Sequence, residues 1–210
     1  MSSSECVREG LIIAGGRSTR FGDTDKAVAP LHGVPMIRRV ADRIAPVIDQ
    51  LAINCREAQR SSIATALDGY EHPCAIRVDE IPDRGPLGGF ETGLAGTDAD
   101  WAFVIACDMP YVQAPVVEML FTQAQNSEAA VPRPDEWYEP LHAVYHPTSM
   151  RHACREALAA GEDRIVHALN RIDFVTIGAS TITAVGSLNT FENVNTPAEF
   201  VTAEDWFAKK

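Results

Sequence analysis

Lysine is nearly absent from this chain: three lysines stand against fifteen arginines in 210 residues. Lys209 and Lys210 are the last two residues, so Lys26 is the sole lysine of the remainder. Long apolar runs are missing too. None approaches the roughly twenty residues that a membrane helix needs. Met1-Ser2-Ser3-Ser4-Glu5 lacks the charged and apolar parts of a secretory signal. The five cysteines are odd in number and scattered, and none forms a Cys-x-x-Cys pair. Neither a disulfide framework nor a thiolate zinc site is therefore indicated. The expectation is a cytoplasmic protein with reduced thiols and no membrane partner. A net charge of −11 also argues against nonspecific nucleic-acid binding, which depends on clustered cations. Acidic excess with almost no lysine resembles the surfaces of salt-adapted proteins, whose self-repulsion is tolerated at high ionic strength.

What is present gathers around Lys26. It closes the run Leu11-Ile12-Ile13-Ala14-Gly15-Gly16-Arg17-Ser18-Thr19-Arg20-Phe21-Gly22-Asp23-Thr24-Asp25-Lys26. An apolar strand runs into glycines, and an arginine and the isolated lysine follow. Glycines let backbone N–H groups approach phosphate oxygens where a Cβ would clash. Arg20 can grip two oxygens at once, and Lys26 offers a compact point charge. The run reads as a triphosphate-binding loop. It is not a Walker loop, since Gly22 is followed by Asp23 rather than Lys, and Gly15-Gly16-Arg17 breaks the dinucleotide fingerprint. Asp23 and Asp25 are expected to shape the loop and position Lys26.

Strand and helix signals alternate. Strands are predicted at 11–14, 51–54, 75–78, 101–106, 129–131, 141–145 and 174–177. Helices are predicted at 35–48, 57–67, 87–95, 114–125, 148–160, 164–170 and 198–207. This rhythm predicts one α/β domain spanning 1–210, with three α/β/α layers around a mainly parallel, mixed sheet. A nucleotide-binding half of about 7–126 is followed by an acceptor-side half of about 127–210. Ligands gather at strand carboxyl ends in such sheets, so the loops after Ala14, Asn54, Val78 and Ala106 should share one crevice. Asp108, in Cys107-Asp108-Met109-Pro110, then stands at the sheet rim, placed to hold Mg²⁺ together with substrate phosphates. Arg164 is read either as an acceptor-phosphate contact or as a surface arginine at a helix start. Trp137 and Tyr138 are expected to pack in the interior rather than stack on a ligand. His142 and His146 are read as polar or core residues rather than as a metal pair.

With these blocks in order, the chain resembles the molybdenum cofactor guanylyltransferase family of Rossmann-like nucleotidyltransferases. The resemblance rests on Ile13-Ala14-Gly15-Gly16 through Arg20, Gly22 and Lys26. It continues in Gly85-Pro86-Leu87-Gly88-Gly89, Cys107-Asp108-Met109-Pro110 and Asn193-Val194-Asn195-Thr196-Pro197. It implies GMP transfer from GTP to the terminal phosphate of molybdopterin, with release of pyrophosphate. By position it implies nucleotide contacts at Ile13, Ala14, Gly15, Gly16 and Lys26, and guanosine contacts at Asn54 and Asp79. Mg²⁺ and nucleotide fall to Asp108, and the acceptor side to Gly89, Asn193 and Asn195. Lys26, Arg20 and Asp108 would carry catalysis. Proteins that deliver and receive the cofactor would be transient partners. The family often has Thr where Met109 stands. Two other readings stay open: nucleotidyl transfer to a different phosphorylated acceptor, including cytidylyl transfer to molybdopterin, and a noncatalytic nucleotide-binding module.

Overall fold

Leu11 and Ile12 are both fully buried, yet successive strand residues face opposite sides, so the strand that carries them must be covered on both faces. The computed structural model describes residues 6–15, 25–79 and 85–209. Within them β1 (Arg8–Ile13) lies between β4 (Gln50–Cys55) and β6 (Trp101–Ala106), parallel to both. β5 (Cys74–Val78) extends the sheet beyond β4. On the other side follow β8 (His142–Tyr145), β7 (Ala129–Arg133) and β9 (Phe174–Gly178). The order is β5-β4-β1-β6-β8-β7-β9. β8 runs against both neighbours, and β9 is parallel to β7. The mixed, mainly parallel sheet is as expected. Six strands therefore end on one edge of the sheet, and β8 begins there.

Helices cover both faces. Ile12, Ile53, Phe103 and Ile105 pack with Ile37, Val40 and Ile44 of α1 (Met36–Ile44), Ile63 of α2 (Arg60–Ala66) and Leu120 of α4 (Ala114–Ala124). Leu11, Ala52 and Val104 pack the other way. Their partners are Leu87 and Phe90 of α3 (Gly85–Leu94), Met150 of α5 (Pro147–Ala159) and Leu169 of α6 (Ile165–Leu169). α7 (Ala179–Thr183) follows β9, and α8 (Pro197–Phe207) closes the described chain. Ala203 of α8 joins a third cluster with Leu31, Met36, Tyr111 and Val194.

Boundaries differ from expectation where local chemistry decides. The helix expected over 35–48 ends at Ile44 and tightens into a 3₁₀ turn at Ala45–Val47, because Pro46 has no N–H to continue the ladder. The segment expected as one helix from 57 opens as a 3₁₀ turn, Glu57–Gln59. A hairpin of β2 (Pro30–Leu31) and β3 (Val34–Pro35), turning at His32 and Gly33 with φ of 48° and 77°, was not expected, nor was α7. Among the described residues no helix is long and apolar enough to cross a membrane.

Candidate active site

Three separated motifs meet at the sheet's carboxyl edge. Lys26 opens a 3₁₀ turn (Lys26–Val28) whose N-cap is Asp25; the Asp25 carboxylate accepts the Ala27 N–H at 3.1 Å. The Lys26 ammonium donates to Asp108 Oδ2 at 2.8 Å and to Asn195 Oδ1 at 2.7 Å. Lys26 and Asp108 are largely buried, their side chains 9% and 21% exposed. Asp108 stands just beyond β6, where the Cys107 N–H donates to the Ile13 carbonyl at 3.1 Å. Burial, with the Asp108 carboxylate adding, pushes the Cys107 thiol up, so that it stays protonated.

Local structure explains the spacing of the Asn-Val-Asn-Thr-Pro block. Val194 is buried, and its N–H donates to the Asp108 carbonyl at 2.8 Å. Asn193 and Asn195 flank it, and both are exposed residues. Thr196 caps α8: its hydroxyl accepts the Glu199 N–H at 3.2 Å, while Glu199 accepts the N–H groups of Asn195 at 2.6 Å and Thr196 at 3.0 Å. Pro197 takes the first helical position, where a missing N–H costs nothing. The backbone bond to Asn195, with the capping contacts beside it, draws the Glu199 carboxyl below its usual range.

Asp108 Oδ1 is buried and has no hydrogen-bond partner among the described residues. Such an oxygen calls for a ligand. No group of three His, Cys, Asp or Glu side chains gathers there or elsewhere among the described residues. One carboxylate with one unsatisfied oxygen fits Mg²⁺, which takes most of its ligands from phosphates and water.

The second cluster lies between β1, β4, β5 and α3. Asn54 is fully buried, and its amide donates to Asp79 Oδ1 at 2.8 Å. Its own Oδ1 has no partner among the described residues. Two glycines crowd it. A Cβ on Gly89 would lie 2.8 Å from that oxygen, and one on Gly15 would lie 3.1 Å from Asp79 Oδ2. Gly89, expected on the acceptor side, therefore stands among the residues expected at the guanosine.

Gln59 joins the clusters, and sequence reasoning missed it. It is buried, and its amide donates to the Ala14 carbonyl at 3.0 Å and to Asp25 Oδ2 at 2.9 Å. It thus ties the point where the chain leaves β1 to the point where it re-enters before Lys26. Ala14 is held from the other side as well, donating to the Asn54 carbonyl at 2.8 Å. A glutamine within the first turn after a strand carries no signal of this kind.

Gly16, Arg20 and Asp23, all expected at the site, lie outside the described residues. Arg164 is exposed at the N-cap of α6. His142 is a core residue, edge-on to Phe103 and Phe191, and burial lowers its pKa to about 3. Interior packing holds for half of the aromatic pair. Tyr138 packs edge-on against Phe174 at 5.5 Å, but Trp137 is 73% exposed. Asp135 Oδ1 accepts the Trp137 backbone N–H at 2.8 Å, which closes a side-chain turn at the loop tip.

A lysine–carboxylate pair beside a glycine-lined strand exit, at the carboxyl edge of this sheet, defines a nucleotidyltransferase. The chain belongs to the MobA-like NTP transferase domain family, whose model matches residues 10–172. It is 48% identical to a probable molybdenum cofactor guanylyltransferase of Natronomonas pharaonis, over 94% of this chain and 97% of that one. It is 38% identical to a probable molybdenum cofactor guanylyltransferase of Haloferax mediterranei, over 90% and 89%. The crystal structure of molybdopterin-guanine dinucleotide biosynthesis protein A from Archaeoglobus fulgidus superposes with a TM-score of 0.77, at 23% identity over 96% of this chain and 100% of that one. At that identity the match speaks for the fold.

Proposed function

We propose that the protein transfers GMP from GTP to the terminal phosphate of molybdopterin and releases pyrophosphate. The observation that carries this reading is the meeting of Lys26, Asp108 and Asn195, from three distant motifs, through contacts of 2.8 and 2.7 Å. The names of the relatives supply the acceptor and the base.

In the reaction an oxygen of the acceptor phosphate attacks the α-phosphorus of GTP. The bond to the bridging oxygen breaks, and pyrophosphate departs with that electron pair. The attacking oxygen is already anionic and needs no strong base. Rate then depends on bringing two anions together in line and on stabilising the leaving charge. Lys26 and Arg20 stabilise charge on the pyrophosphate. Asp108 would hold Mg²⁺, which when bound neutralises phosphate charge. Ile13, Ala14, Gly15 and Gly16 contact the nucleotide through backbone, and Asn54 and Asp79 face the guanosine. Asn193 and Asn195 serve the acceptor side, within the half from about 127 to 210.

Purified protein incubated with GTP, Mg²⁺ and molybdopterin should yield the guanine dinucleotide and pyrophosphate, read by mass analysis. A cytosine dinucleotide formed from CTP instead would redirect the base assignment. Failure to release pyrophosphate with any nucleotide would leave a binding module.

A further inference from the structure

Trp137 is the most exposed large apolar side chain among the described residues. The loop that carries it is well anchored. The Glu139 N–H donates to the Pro132 carbonyl at 2.9 Å, and the Tyr145 hydroxyl donates to the Pro140 carbonyl at 2.8 Å. The Arg133 guanidinium lies over the Tyr138 ring at 5.3 Å. An indole offers a large flat apolar face on which a second ring can stack.

Topology places this loop at the active edge. It joins the end of β7 to the start of β8, at the edge where β1, β4, β5 and β6 end. The Ala106 N–H donates to the Leu141 carbonyl at 3.2 Å, two residues before Asp108. Tyr138, next to Trp137, packs on the same cluster as Ile13 and as Leu87 of the Gly-Pro-Leu block. The loop therefore stands at the same edge of the sheet as Asp108, on the side of β6 away from β5.

Resting on the proposed transfer to a pterin phosphate, we infer that Trp137 is the stacking platform for the planar heterocycle of the acceptor. The bicyclic ring lies on the indole at the rim, and its phosphorylated side chain reaches inward toward Lys26 and Asp108. A small planar ligand suits the site better than a protein face. Trp137 stands beside the exposed acids Asp135 and Glu136, whereas protein docking needs a contiguous apolar patch. Offset stacking on an aromatic face requires only one ring.

The test is steady-state kinetics of the full chain with GTP, Mg²⁺ and molybdopterin, comparing wild type with Trp137→Ala and Trp137→Phe. Trp137→Ala should raise the KM for molybdopterin by ~10-fold or more, the scale set by loss of one stacked aromatic, and leave the KM for GTP unchanged. Trp137→Phe should restore most of the loss. Molybdopterin added with a non-hydrolysable GTP analogue should quench tryptophan emission in wild type by more than in Trp137→Phe. An unchanged molybdopterin KM in Trp137→Ala overturns the inference, and so does an equal rise in the GTP KM, which would mean a collapsed loop. A defect seen only when a carrier protein supplies the acceptor assigns the indole to that protein and also overturns it. In each of these cases the wild type still makes dinucleotide and the guanylyltransferase reading stands. A wild type that makes none removes both.

Discussion

At one end of the candidate site Lys26, Asp108 and Asn195 converge with opposite charges in contact; at the other, Asn54 and Asp79 pair beneath Gly15 and Gly89. Among the described residues each end leaves one buried oxygen without a partner, on Asp108 and on Asn54. The difference lies in what surrounds that oxygen. The first end is electrostatic: an ammonium lies between a carboxylate and an amide oxygen. The second end is steric: its space exists because two side chains stop at hydrogen. Turnover should be sensitive to the first end and nucleotide affinity to the second.

The largest expected effect tests the electrostatic end. Lys26→Ala should lower kcat by ~100-fold or more, the scale seen when one transition-state donor is removed. It also strands a buried carboxylate, and breaking such a pair costs about 3–5 kcal/mol, so Mg²⁺ should raise the melting temperature of the variant more than that of wild type. Near-normal kcat would remove Lys26 from the chemistry and erase the contrast between the two ends.

Gly89→Ala tests the steric end. Its methyl carbon would lie 2.8 Å from an oxygen on a fully buried side chain, so Asn54 must move. The KM for GTP should rise by ~10-fold or more, in line with overpacking costs of about 1–3 kcal/mol, while kcat at saturation changes little. Gly15→Ala, with a contact of 3.1 Å, should do less. A pure kcat defect in Gly89→Ala would mean that this end acts on the acceptor instead. Gln59→Leu should uncouple the two ends. It leaves the Ala14 carbonyl without its amide donor, a loss of about 1–3 kcal/mol, and should raise the KM for GTP by roughly 10-fold with the fold intact by circular dichroism.

The two ends were not equally legible in the sequence. Lys26 stood out because it is isolated among arginines, and Asp108 because it follows the strand of Trp101–Ala106. The Asn-Val-Asn spacing exposes its asparagines and buries its valine, as period-two backbone must. The alternating helices and strands were equally plain, since buried parallel strands are nearly continuous apolar runs. Gln59 is hidden because its role depends on a backbone carbonyl and a carboxylate both distant in sequence. The approach of Gly89 to Asn54 is a tertiary fact that its position in the Gly-Pro-Leu block does not carry. Aromatic character favours burial, yet Trp137 stands exposed at the loop tip. The small hairpin at His32-Gly33 carried a usable signal, since two positive-φ residues favour a tight turn ending in glycine.

The smallest expected effect on turnover concerns what supports the electrostatic end. The Thr190 hydroxyl accepts the Gln113 N–H at 3.1 Å and lies 3.4 Å from His142 Nε2, three residues before Asn193. The segment that carries Asn193 and Asn195 thus rests on a buried, neutral imidazole. Burial lowers the His142 pKa from 6.5 to about 3, so below pH 6.5 the unfolded chain binds a proton that the native state refuses. Stability must then fall as pH drops from about 6.5 toward 3 and level off below, with a slope approaching about 1.4 kcal/mol per pH unit. His142→Gln, neutral throughout, should lack this component. Urea midpoints of the two proteins at pH 7 and pH 5 should therefore converge as pH falls. Parallel pH curves would mean that acid sensitivity arises elsewhere than beneath the electrostatic end.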